Sequence, residues 1–210
     1  MNLVVYGDQL IASPGPYEGF NVPEGDHWWQ LLAKHRGYDS ARTLFTPKQS
    51  VGIGPLYYTS QILKTELKED DYFVSIMPSW ERNLGWDDKG PIHEVSVKVG
   101  IHHIHEYKEW QKDLMIRTLS EWAKDKKCFF IITEVTQEKY NWLDPNKFVV
   151  LADLKEPGRK MDMNFLWMYV MLKHPVLSHP GHFYKQCAPD RKLNEWGNRC
   201  VFEVLAQIIP

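Results

Sequence analysis

Residues 2–8 read NLVVYGD, a short run from Asn2 to Tyr6 that is apolar at four successive positions and is stopped by Gly7 and Asp8. Apolar side chains that do not alternate with polar ones mark a strand buried on both faces, as in the middle of a parallel sheet. DYFVSIM (71–77), CFFIITEV (128–135) and KFVVLADL (147–154) have the same form, and ARTLF (41–45) is a shorter fifth strand. Helical stretches separate them. HWWQLLAKHRG (27–37) spaces Trp28, Leu31, Leu32 and His35 on a helix, with Asp26 as N-cap and Gly37 as its stop. LYYTSQILKTEL (56–67) is a second helix. YKEWQKDLMIRTLSEWAKDKK (107–127) is a third, with Trp110, Leu114, Ile116 or Arg117, Leu119 and Trp122 as its apolar stripe. DMNFLWMYVMLKH (162–174) and LNEWGNRCVFEVLAQII (193–209) complete the set.

Alternating two-sided strands and helices predict an α/β fold, a three-layer α/β/α sandwich on a mostly parallel five-stranded sheet. One domain spans residues 1–210 in this reading, with an irregular insert at about 78–105 that is rich in Gly, Asp and His. Parallel sheets of this kind bind ligands outside the carboxyl ends of their strands. The segments that matter are then Gly7-Asp8-Gln9, the turn Gly52–Gly54, the stretch Pro78–Asn83 and Thr133-Glu134.

Composition narrows the function classes. The 210 residues are 43% hydrophobic and 25% charged, an ordinary globular balance. Lys plus Arg number 25 against 27 Asp plus Glu, so no basic excess exists to drive phosphate-backbone binding, and nucleic acid is not an expected partner. Nine Trp and ten Tyr are more than usual, and not all of them need be core, since large aromatics also serve pockets and interfaces. Cys128, Cys187 and Cys200 lack both the number for a disulfide framework and the paired spacing of a zinc ribbon, which favours a reducing compartment. The start, MNLVVYGDQL, has no basic segment ahead of its apolar run and reads as a first strand rather than a signal peptide. No window approaches the ~18 apolar residues of a membrane span. No membrane association is expected, and synthesis in the cytoplasm is.

Four stretches resemble the SGNH (GDSL-like) hydrolase superfamily, in order and on the matching elements. Tyr6-Gly-Asp-Gln-Leu10 ends the first strand where that family has Gly-Asp-Ser-Leu, and Trp29-Gln-Leu-Leu-Ala33 is similar to its first helix. Gly52-Ile-Gly54 resembles the second block, whose glycine N–H helps form an oxyanion hole. MPSWERNLGW (77–86) stands where the family has Gly-x-Asn-Asp, and its tryptophan and arginine resemble a variant block of phage-encoded members. Asp190-Arg-Lys-Leu-Asn-Glu-Trp-Gly197, leading into the last helix, resembles the final block, an Asp and a His followed by Asn-Glu-x-Gly. The resemblance implies a flavodoxin-like α/β/α fold and, for intact members, acyl transfer by a serine nucleophile, a histidine base and an orienting aspartate.

This chain departs from that chemistry. The nucleophile position falls on Gln9, whose carboxamide cannot become an alkoxide, and the base position falls on Lys192, which acts as a base only if burial lowers its pKa by several units. Asp190 and Gly54 match the family pattern, and Asn83 stands near its oxyanion asparagine. Ser13, in a Pro/Gly-rich loop, and His179 or His182, in His179-Pro-Gly-His182, are the fallback nucleophile and base; both histidines also suit a plain surface turn.

The other candidates have competing readings. Asp8 and Gln9 either contact a ligand or close a turn on their own backbone. Gly52-Ile-Gly54 is not a dinucleotide fingerprint, because Tyr57 occupies the third glycine position. His102, His105 and Glu106, with His103 beside them, would share one helical face and suit Zn²⁺, yet no further ligand stands at a motif spacing and a solvated helix start explains them as well. Glu134 and Asp153 end strands, where a carboxylate pair would suit glycosidase-type chemistry and helix capping is the simpler role. Trp80 and Trp86, in the insert, suit an exposed rim or a partner interface, whereas Trp29 suits the core.

The expectation is a non-catalytic binding or structural SGNH-like component, such as a phage-encoded virion or assembly protein. It would use Asp8, Gln9, Gly54, Trp80 and Asn83 to hold a carbohydrate or ester ligand, or would bind a protein partner or a second copy. The alternative is an esterase or acetylhydrolase acting on an O-acyl or carbohydrate ester with unorthodox residues. No cofactor is expected.

Overall fold

The protein is described from a computed structural model that covers residues 1–7, 25–44, 55–77, 84–87, 90–93, 101–132, 140–150 and 193–210. Five strands form one sheet: β1 (Asn2–Tyr6), β2 (Ser40–Thr43), β3 (Asp71–Ile76), β6 (Cys128–Ile132) and β7 (Phe148–Val150). They lie in the order β2-β1-β3-β6-β7, and every neighbouring pair is parallel. The helices are α1 (Trp28–Arg36), α2 (Pro55–Leu63), α3 (Ile101–Ala123) and α4 (Glu195–Ile208). The fold is therefore mixed α/β on an all-parallel sheet. Its strand order is one found in doubly wound sheets, with the order of connection reversing between β1 and β3.

The absence of alternation in NLVVY has the cause that the sequence suggests. Leu3 and Val5 point into a core shared with Val74, Ile76, Phe129 and Ile131 and with residues of α1 and α4. Val4 and Tyr6 point the other way, into a second core with Phe73, Phe130 and Ile132 and with residues of α2 and α3. Each fully buried Leu, Val, Ile or Phe stabilises the fold by about 1.5–3 kcal/mol, so the two clusters provide its main driving force.

Polar networks fix the ends of these elements. At the amino end of the sheet the buried carboxylate of Asp71 accepts from the Lys68 N–H (3.1 Å), Arg42 (3.1 Å) and the Asn2 side chain (3.3 Å), while Ser40 donates to Asn2 (2.8 Å). At the end of α3 the Lys147 ammonium donates to the carbonyls of Ala123, Lys124 (2.8 Å) and Lys126 (3.1 Å), acceptors that a helix terminus leaves open. Gly37 terminates α1 in the left-handed region (φ +69°), where a side chain would be strained.

Three local expectations are corrected. The N-cap of α1 is His27, not Asp26: the Gln30 side chain accepts from the N–H groups of Gly25 (3.0 Å) and His27 (3.3 Å) and pulls the start one residue along. Part of the segment expected to be irregular is regular, since β4 (Leu84–Asp87) and β5 (Gly90–His93) form an antiparallel ribbon and α3 begins at Ile101. The apolar stripe of α3 differs at its first two positions. Trp110 and Leu114 are exposed and Gln111 and Met115 are buried in their place, while Ile116 and Leu119 are buried and Trp122 packs against the core as expected.

Candidate functional site

The carboxyl edge of the sheet is where β1 ends at Tyr6, β3 at Ile76 and β6 at Ile132. Beneath it, between β1 and β3, lies a buried hydroxyl cluster. Ser75 Oγ donates to the Tyr6 carbonyl (2.9 Å), which uses its single proton, so the Tyr58 hydroxyl of α2 donates to Ser75 Oγ. The rings of Tyr6 and Tyr58 stack with centroids 5.2 Å apart. Burial drives the Tyr58 phenol well above its ordinary pKa, the Ser75 hydrogen bond pulls weakly the other way, and Tyr58 is a donor at any physiological pH. Ser75 is fully buried and engaged on both sides, which leaves it no room to act as a nucleophile. The cluster ties α2 to the two central strands near their carboxyl ends.

The last helix is brought to this same edge. Helix α1 ends four residues before β2 starts, so its carboxyl end lies at the amino edge of the sheet and its start points to the carboxyl edge. Asn198, in the first turn of α4, is buried and accepts from the Trp28 N–H at 3.0 Å, across 170 residues of chain. Its amide also donates to the carbonyls of Asn194 (3.0 Å) and Leu193 (3.3 Å). At the far end Arg36 donates to the carbonyls of Ala206 (3.0 Å) and Ile209 (2.5 Å). The two helices therefore run side by side in one direction, and both begin at the carboxyl edge. Asn194, from the Asn-Glu-x-Gly block, N-caps α4 by accepting from the Gly197 N–H at 2.8 Å. Leu193 packs in the core with Val5 and Ile76.

His27 caps α1 at this edge and was not singled out from sequence. Its ring stacks on Trp29 with centroids 4.3 Å apart. Burial lowers its pKa while Asp26 raises it, and the first effect is the larger, so the imidazole is neutral at physiological pH. Trp28 and Trp29 are both core residues. Asn198 and the Tyr6–Tyr58–Ser75 cluster were also missed, because only the folded chain brings residues so far apart in sequence together.

The residues expected to carry chemistry lie outside the described residues: Asp8, Gln9, Ser13, Gly52, Gly54, Trp80, Asn83, Glu134, Asp153, His179, His182, Asp190 and Lys192. His102, His105 and Glu106 fall in the first turns of α3, which gives them the helical spacing expected; their side chains are likewise outside the description. Among the described residues no group of three or more His, Cys, Asp or Glu is placed to hold a metal ion, and no helix is long and apolar enough to cross a membrane. No protein-family model, curated protein or solved structure matches the chain.

Proposed function

We propose that this chain is a three-layer α/β/α protein of the SGNH-hydrolase-like kind that binds at the carboxyl edge of β1 and β3 and does not turn over an ester. The hydrogen bond between Asn198 and the Trp28 N–H carries the reading, because it supports a start of α4 beside the start of α1. Gln9 follows β1 by three residues, and Lys192 precedes Leu193 directly. A fold that keeps these segments at one edge keeps the geometry of an acyl-transfer site. A carboxamide in place of the nucleophile and an ammonium in place of the base remove its chemistry. What remains is a crevice whose polar groups donate and accept hydrogen bonds, suited to a carbohydrate or an ester carbonyl. A virion or assembly component would use such a scaffold for recognition alone.

The test is hydrolysis of p-nitrophenyl acetate by the purified protein. The expected rate equals that of the Gln9→Ala variant and of an unrelated protein at the same concentration. A rate that rises with pH and is lost in Ser13→Ala would overturn the proposal and establish a relocated nucleophile, with His179 and His182 the next substitutions to make.

A further inference from the structure

Two large apolar side chains of α3 stand at its surface. Trp110 is 57% exposed and Leu114 42% exposed, one turn apart, and Trp142 beyond them is 42% exposed. Two contacts hold Trp142 and its neighbour Tyr140 against the helix. The Arg117 guanidinium lies over the Trp142 ring, 5.2 Å from its centroid, and the Tyr140 hydroxyl donates to Asp113 at 2.5 Å. Trp110, Asp113, Leu114 and Arg117 thus follow one another along a single helical face, with Trp142 beside the last. For side chains of this size the exposed apolar part comes to roughly 300 Å².

We infer that this face binds a second copy of the chain, helix against helix and antiparallel, about a twofold axis between Asp113 and Arg117. The charge pattern selects this occupant. One acidic and one basic group stand four residues apart on the same face, so a twofold axis between them sets Asp113 opposite Arg117 of the partner subunit and Arg117 opposite the partner's Asp113. A surface complementary to itself in this way forms a closed, isologous pair. The same antiparallel arrangement carries Trp110 towards Trp142 of the partner subunit, placing an aromatic pair on each side of the central Leu114 and charge contacts. An apolar centre this small belongs to a weak, concentration-dependent dimer rather than an obligate one. The inference is independent of the reading of the sheet edge, and each can fail without the other.

Sedimentation velocity across a wide range of protein concentration tests it. The wild type is expected to shift from monomer to dimer as concentration rises. Leu114→Glu and Trp110→Ser, both at exposed positions that leave the two cores untouched, should each raise the dissociation constant by about tenfold or more. Asp113→Arg and Arg117→Asp should each remain monomeric alone and pair when mixed, since each variant alone sets like charges opposite one another and mixing makes both contacts of opposite charge. A wild type that stays monomeric at every concentration would overturn the inference. So would a dimer indifferent to Leu114→Glu and Trp110→Ser, or folded charge variants that do not pair on mixing although the wild type does. Circular dichroism of every variant establishes that it is folded; if a charge variant is not, the Leu114 and Trp110 variants decide.

Discussion

Replacing Asn198 with leucine keeps the number and branching of side-chain heavy atoms, raises the intrinsic helical propensity by a few tenths of a kcal/mol, and removes three hydrogen bonds: one accepted from the Trp28 N–H and two donated to Leu193 and Asn194. The donated bonds are the smaller loss, because the Asn194 carbonyl keeps its helical bond from the Asn198 N–H at 2.9 Å. The Trp28 N–H sits at a buried helix start and would lose the acceptor that Asn198 gives it. Depriving a buried donor of its acceptor costs about 1–3 kcal/mol, and the two amide contacts add to that. The expected loss is about 2–3 kcal/mol, which in a chain of this length lowers Tm by roughly 4–12 °C. Urea unfolding followed by tryptophan fluorescence measures it. The control is Arg199→Ala one residue away, which removes an exposed ion pair to Glu195 (3.2 Å) and should cost about 0.5 kcal/mol or less. If Asn198→Leu is no more destabilising than Arg199→Ala, the bond does not hold α4 to the start of α1, and the placement of the last sequence block at the carboxyl edge loses its support.

Two further outcomes follow from buried ionisable groups. Burial works to raise the Asp71 pKa, but hydrogen bonds from the Lys68 N–H, Arg42 and Asn2 outweigh it and hold the carboxyl below its ordinary value. A depressed folded-state pKa means that the unfolded chain takes up the proton first, so the stabilisation is present above about pH 4 and is lost as pH falls through the folded value. Urea midpoints at about pH 6 and about pH 3 should therefore fall further in the wild type than in Asp71→Asn; equal falls would show that Asp71 does not contribute. Burial also pushes the Cys128 thiol up to about 11, with Lys147 and Lys126 only partly offsetting it. Iodoacetamide near pH 8 should leave Cys128 unmodified in native protein and label it in urea, because only about one thiol in a thousand is then ionised. Rapid native labelling at Cys128, read by peptide mass spectrometry, would contradict the packing of β6 against the end of α3.

The sheet was legible because two-sided burial leaves a local mark. NLVVY, DYFVSI, CFFII and FVV are apolar on successive residues, and all four are neighbouring parallel strands. Gly37 marked the end of α1 for an equally local reason, the left-handed backbone needed there. The errors arose where distant contacts overrule local ones. Trp110 and Leu114 carry the helical spacing of a core stripe, but at that end of the helix Gln111 and Met115 are buried instead, while Ile116, Leu119 and Trp122 meet the core as the spacing indicates. Strands β4 and β5 gave little signal because LGWD and GPIH contain one β-branched residue, Ile92, and a proline at Pro91, which argues against a strand by the usual rule. The candidate site was legible only as positions along the chain. What the structure adds is the buried Tyr58–Ser75 hydroxyl pair near the carboxyl ends of β1 and β3 and the bond that sets the start of α4 beside the start of α1.

The distance between Gln9 and Lys192 tests the central claim most directly. It can be measured by pulsed electron resonance between nitroxide labels on Gln9→Cys and Lys192→Cys, with Cys187→Ser and with Cys128 and Cys200 left in place, since both are buried. A compact chain of 210 residues has a radius of gyration of about 17 Å and a diameter of roughly 40 Å. If both residues stand at the carboxyl edge of β1 and β3, the distribution should centre below about 25 Å, label arms included. A single distribution centred at about 35 Å or beyond would place them at opposite ends of the molecule, and the shared crevice on which the functional reading rests would not exist.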